Sequence, residues 1–168
     1  MRVYIVEDSP IFLKAIENLL AENECIAIVG CASEAAVAMR EIPRLAPEVV
    51  ILDFHLIGGS GIDVLKSIKA QRIKAQHINA QHINAQHINA QRQASPIAIM
   101  FSSHAEPAFR RVSMKLGADF FFEKSREFDL LAQLLRSMTS SLDAARIVRQ
   151  NDAAVFPNIS PDAVWNWC

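Results

Sequence analysis

The sequence predicts an α/β domain built on a doubly wound parallel sheet, and three observations predict it. Short continuous apolar runs recur along the chain, segments of helical spacing lie between them, and the two alternate five times. At 168 residues, 51% hydrophobic and 21% charged, the chain can bury a core and has an ordinary globular composition.

The apolar runs are residues 3–6, 26–29, 49–52, 97–101 and 120–122. They are continuous rather than alternating, as in strands covered on both faces. The first helical segment opens at Ser9-Pro10, a cap followed by proline at the first helical position, and carries Phe12, Leu13, Ile16, Leu19 and Leu20 on one side. The second is expected to start at Ser33 and end near Pro43. The third follows Gly61 with Ile62, Leu65 and Ile68. The fourth covers roughly residues 107–116 and is stopped by Gly117, and the fifth covers about 127–138 with Leu130, Leu131, Leu134 and Leu135. Right-handed crossovers leave few topologies for such an order.

Residues 70–94 interrupt the pattern. Ala70-Gln71-Arg72-Ile73-Lys74 is followed by Ala-Gln-His-Ile-Asn at 75–79, 80–84 and 85–89, then by Ala90-Gln91-Arg92-Gln93. Excising about four units leaves an ordinary helix-to-strand connection, so the segment reads as a tandem expansion inside a domain spanning 1–140. A period of five turns each successive Ile by about 140° around a helix, so no apolar stripe forms. The same spacing puts His77, His82 and His87 on different faces, against the i, i+4 pairing of helical metal ligands. Lying between a helix and the next strand, the insertion belongs at the sheet's N-terminal edge, away from the ligand-binding edge. Residues 141–168 form a short tail ending in Trp165, Trp167 and Cys168, too short for a separate output domain.

Several function classes are disfavoured. Lys+Arg (17) and Asp+Glu (18) nearly cancel, which gives no reason to expect DNA or an anionic membrane as partner. Cys25, Cys31 and Cys168 have no metal or disulfide spacing, and the first two are expected in the core. The N-terminal apolar run is too short for a signal peptide and no stretch approaches transmembrane length, so a cytoplasmic location is expected.

The chemistry sits at strand ends. Glu7 and Asp8 follow the first strand and Asp53 ends the third, and in the doubly wound order these strands are neighbours at the switch point. Three converging carboxylates raise one another's pKa unless a cation neutralises them, and Mg²⁺, which takes few protein ligands and keeps its waters, suits them. Ser102 follows the fourth strand and Lys124 the fifth. A metal platform, a carboxylate nucleophile, a hydroxyl and an ammonium around one point are the parts needed to accept a phosphoryl group.

Val6-Glu7-Asp8-Ser9, Val50-Ile51-Leu52-Asp53 with Gly61 eight residues on, Met100-Phe101-Ser102-Ser103 and the run from Gly117 to Lys124 resemble the receiver domain of two-component response regulators. The resemblance covers residues 1 to about 140, apart from the repeat. It implies a flavodoxin-like five-stranded sheet of order 2-1-3-4-5 and a single-domain, chemotaxis-regulator-like protein. It makes Asp53 the phosphoacceptor and Glu7, Asp8, Asp53 and the His55 backbone carbonyl the Mg²⁺ ligands. Ser102 would hydrogen-bond the phosphoryl group, Lys124 would pair with it, and Phe121 takes the place of the aromatic switch residue. The implied partners are a sensor histidine kinase or histidine phosphotransfer protein and a downstream protein, with a homodimer left open. The protein would be no enzyme beyond its own phosphorylation and dephosphorylation.

Three positions depart from the family pattern: Ile57 stands where proline is common, Ser125 where a proline often follows the lysine in a cis bond, and Phe121 lacks a tyrosine hydroxyl. Two alternatives keep the fold. One is a phosphorylation-independent interaction module, against which the intact acidic and lysine set argues. The other is a small metal-dependent phosphohydrolase, which would want a second acid where His55 stands.

Overall fold

A computed structural model describes residues 1–81, 95–104 and 106–139, with side chains described for all of these except 74–81. Five strands, β1 (Arg2–Val6), β2 (Ala27–Ala32), β3 (Val49–Leu52), β4 (Ile97–Ser102) and β5 (Phe120–Glu123), alternate with α1 (Pro10–Ala21), α2 (Ala35–Leu45), α3 (Gly61–Gln81), α4 (Pro107–Lys115) and α5 (Phe128–Thr139). The strands form one sheet of order β2-β1-β3-β4-β5, and every neighbouring pair is parallel. This is the doubly wound architecture expected from the alternation, in the flavodoxin-like order that the resemblance implies.

Strand side chains alternate between two cores. Tyr4, Val6, Val50, Leu52, Ala98 and Met100 pack with Ala38 and Ile42 of α2 and Val64, Leu65 and Ile68 of α3. Val3, Ile5, Ile51, Ile99 and Phe101 pack on the other face with Ile16 and Leu20 of α1 and Leu131, Leu134 and Leu135 of α5. Both faces of β1, β3 and β4 are therefore covered, which is why their sequences read as unbroken apolar runs. No helix among the described residues is long and apolar enough to cross a membrane.

Four local expectations change. β2 lies at the edge where the implied order puts it, but it is not covered on both faces: Ala27, Ile28 and Cys31 are exposed. Cys25 lies just before that edge strand, so Cys25 and Cys31 are both exposed thiols rather than core residues. The helix α2 begins after Glu34 rather than at Ser33, because Glu34 is still extended and its carbonyl accepts the first intrahelical bond, from the Ala38 amide at 3.1 Å. It then runs through Pro43 to Leu45. Burial of Ile42 and packing of Leu45 on the core hold the last turn together although Pro43 donates no hydrogen bond.

The N-terminal edge is closed by Arg72. Its guanidinium donates to Ser95 Oγ (3.0 Å), to the carbonyls of Pro96 (2.6 Å) and Gly117 (3.4 Å), and to both Asp119 oxygens (3.2 and 2.6 Å). Asp119 also accepts from the Ala98 amide at 2.7 Å. Helix α3 continues beyond this clamp to Gln81, so the backbone of the first part of the repeat is helical. Residues 82–94, with His82 and His87, and the tail 141–168, on which the absence of an output domain was expected, lie outside the described residues.

Candidate functional site

The C-terminal ends of β1, β3, β4 and β5 bring Glu7, Asp8, Asp53, Ser102 and Lys124 to one place. The sheet ladder runs right up to them: the Glu7 amide bonds Ala32 O (2.9 Å), the Asp53 amide bonds Val6 O (2.8 Å) and the Lys124 amide bonds Ser102 O (3.0 Å). Gly61 explains its fixed distance from Asp53. A Cβ at that position would sit 2.0 Å from the Asp53 carbonyl oxygen, so only glycine lets α3 start there.

Lys124 is the hub. Its Nζ lies 2.7 Å from Glu7 Oε2 and 2.9 Å from Asp53 Oδ2, with all three side chains buried. The ammonium also lies 4.4 Å from the centre of the Phe12 ring. Asp53 Oδ1 accepts the Phe54 amide at 2.6 Å and Glu7 Oε1 accepts the Ser9 amide at 3.1 Å, so both carboxylates are oriented from behind. Burial pushes the Glu7 carboxyl above its ordinary 4.5; the Lys124 hydrogen bond opposes this, and the nearby Asp53 charge adds to the rise. One ammonium among three carboxylates leaves excess negative charge.

Oxygens of Glu7, Asp8 and Asp53 lie within 4.8 Å of one another, with Asp8 exposed to solvent. An octahedral ion with ligands at about 2.1 Å holds cis oxygens about 3 Å and trans oxygens about 4.2 Å apart. The three side chains draw together to share one such ion. An all-oxygen donor set with one solvent-facing side fits Mg²⁺, which retains waters.

Ser102 is fully buried, and its Oγ accepts the His104 amide at 3.1 Å, which leaves the hydroxyl proton to be donated elsewhere. Phe121 is buried and faces the core rather than the site. Of the three departures, Ile57 has a positive use: its amide donates to Ser33 O at 3.0 Å, which proline could not do. No cis peptide occurs among the described residues, so the Lys124–Ser125 bond is trans.

Sequence reasoning missed an aromatic rim. Phe54 and Phe109 meet edge-on at 4.8 Å, and the rings of His55 and His104 lie 4.6 Å apart beside them. Nor does the sequence show Phe12 as a neighbour of Lys124, because there it reads only as part of the α1 apolar stripe.

A five-stranded doubly wound sheet with a buried lysine among carboxylates at its switch point defines the class: a flavodoxin-like domain with an acidic site at the C-terminal edge. The family model described as the response regulator receiver domain matches residues 3–136, and the chain belongs to that family. It is 37% identical over 68 residues to a protein-glutamate methylesterase/protein-glutamine glutaminase of Trichodesmium erythraeum (strain IMS101), covering 40% of this chain and 19% of that protein. Its fold is similar to the response regulator domain of Thermotoga maritima CheB (TM-score 0.62, 20% identity, 84% of this chain and 94% of that one). It is also similar to the isolated REC domain of RcsB from Salmonella enterica serovar Typhimurium in the presence of phosphomimetic BeF3⁻ (TM-score 0.63, 23% identity, 83% and 88%). These structures show the fold alone. The chain matches less than half the length of the curated relatives.

Proposed function

We propose that this receiver accepts a phosphoryl group on Asp53 from a histidine kinase or histidine phosphotransfer protein in the cytoplasm, and signals through contacts with another protein. The observation that carries it is the Asp53 carboxylate itself: buried, tied through Oδ1 to the Phe54 amide, and paired through Oδ2 with Lys124 in a cluster of excess negative charge. An Asp53 oxygen attacks the phosphorus in line, the P–N bond to the donor imidazole breaks, and the imidazole nitrogen keeps the electron pair. Lys124, already 2.9 Å from Asp53, follows the new charge on the phosphoryl oxygens, and Ser102 donates its hydroxyl proton to one of them. Mg²⁺ held by Glu7, Asp8, Asp53 and the His55 carbonyl would neutralise charge on the group in transfer. The chemistry stays confined to the protein's own phosphorylation and dephosphorylation.

Intact-mass measurement after incubation with a small phosphodonor tests this. The expected result is a Mg²⁺-dependent gain of one phosphoryl group that Asp53→Ala abolishes. An unchanged mass in a folded chain that also ignores Mg²⁺ leaves a phosphorylation-independent interaction module as the better account.

A further inference from the structure

Two adjacent residues of α4 reach two different loops of the site. Phe109 meets the Phe54 ring at 4.8 Å and the His104 ring at 6.1 Å, next to Asp53 and Ser102. Arg110 reaches the other way. Its Nη1 donates to the Phe121 carbonyl (2.9 Å), its Nη2 to Glu127 Oε2 (2.9 Å), and its guanidinium lies 4.8 Å from the centre of the Phe121 ring. The same Glu127 Oε2 accepts the Glu123 amide at 2.6 Å. One carboxylate oxygen therefore joins the residue immediately before Lys124 to a cation on α4.

We propose that Arg110 is the positioning residue through which a change at Lys124 reaches α4. The coupling rests on Asp53 being the phosphoacceptor. Lys124 divides its ammonium between Glu7 and Asp53, and a phosphoryl group on Asp53 draws it away from Glu7. Residues 123–127 carry that displacement: the Glu127 amide bonds Glu123 O at 2.9 Å and the Glu127 side chain returns to the Glu123 amide, so the segment moves as a unit. Arg110 is held to this unit by a charge-assisted bond to Glu127 and to β5 by a second bond and a ring face. A planar, forked cation can hold the Phe121 carbonyl and Glu127 together, which a lysine ammonium cannot do with the same geometry. The pair is part-buried, 23% and 22% exposed, so solvent screens it only partly.

What α4 presents outward gives the coupling a readout. Arg111, Val112 and Lys115 lie on its exposed side, Val112 being 47% exposed. Displacing α4 against β5 changes the setting of this strip.

The test is amide NMR of the full chain with Mg²⁺, before and after beryllofluoride, comparing wild type with Arg110→Gln, Glu127→Gln, the double variant and Arg110→Lys. In wild type, amides around Asp53 and amides of Val112 and Lys115 both shift. In Arg110→Gln and in Glu127→Gln, the Asp53 region responds as before while the α4 shifts fall to under about a third of wild type. The double variant loses no more than the larger single, and Arg110→Lys recovers part of the response. A merely structural role would lower melting temperature without changing the difference between the two ligand states. Undiminished α4 shifts in Arg110→Gln, with a normal response at Asp53, overturn the coupling alone and assign transmission to Phe109 and Phe54. No response around Asp53 in the wild-type chain overturns the phosphoacceptor reading, and the coupling with it. Glu127→Gln serves where Arg110→Gln fails to fold.

Discussion

The two edges of the sheet each carry a cation set among acceptors, and they are built to opposite ends. At the N-terminal edge, Arg72 meets the single carboxylate of Asp119, and its remaining donors go to Ser95, Pro96 and Gly117. The charge is balanced one for one and the carboxylate is further satisfied by the Ala98 amide. At the C-terminal edge, Lys124 faces Glu7 and Asp53 with Asp8 close by, all but Asp8 buried. One positive charge cannot satisfy three negative ones, and burial makes the surplus costly. A balanced pair closes a structure. An unbalanced one leaves negative charge that a cation can neutralise.

The sharpest way to break this contrast is Lys124→Ala. It strips the C-terminal edge of its only described ammonium and should slow phosphorylation of Asp53 by about 100-fold or more, measured by intact mass against time, while Mg²⁺ raises its melting temperature more than that of wild type. Asp119→Ala acts on the other edge. It removes the carboxylate partner of Arg72, which keeps Ser95, Pro96 and Gly117, leaves the Ala98 amide without its acceptor, and should cost about 2 kcal/mol in denaturant unfolding, with the rate of phosphorylation in the folded chain unchanged.

Glu7→Gln separates the edges in the other direction. Removing one surplus carboxylate should stabilise the metal-free chain by about 1 kcal/mol while weakening Mg²⁺ binding, as calorimetry would show. The pH dependence carries the same sign. Folded Glu7 keeps its proton to a higher pH than unfolded Glu7, because its carboxyl is raised above the ordinary 4.5. Over the window from that ordinary value up to the raised one, the folded state binds more protons. This group's contribution to stability therefore falls as pH rises through the window. Urea unfolding across that range should show the slope in wild type, and Glu7→Gln or saturating Mg²⁺ should flatten it. Smallest is Ile57→Pro, which removes the amide bond to Ser33 O and should cost about 0.5 kcal/mol.

The sequence showed the C-terminal edge far better than the N-terminal one, for a physical reason. Glu7, Asp8, Asp53, Ser102 and Lys124 each lie at or just past the end of an apolar run, so locating the strands locates them. The clamps depend on partners far apart in the chain: Arg72 with Asp119, and Arg110 with Glu127. Arg72 was also hidden, because it reads as one letter of a repeat whose next arginine is Arg92. The misplaced thiols have the same origin. An edge strand and a central strand can carry similar apolar letters, and only the strand order puts Cys31 on the outside.

One shortened chain tests whether the two edges act independently. Deleting residues 72–91 joins Gln71 to Arg92, putting an arginine back at the clamp position with Ser95 three residues on. Phosphorylation of Asp53, followed by intact mass in the full and shortened chains side by side, should proceed at the same rate with the same Mg²⁺ dependence. A folded shortened chain that gains no phosphoryl group would contradict the account, because the insertion would then belong to the chemistry it is placed away from.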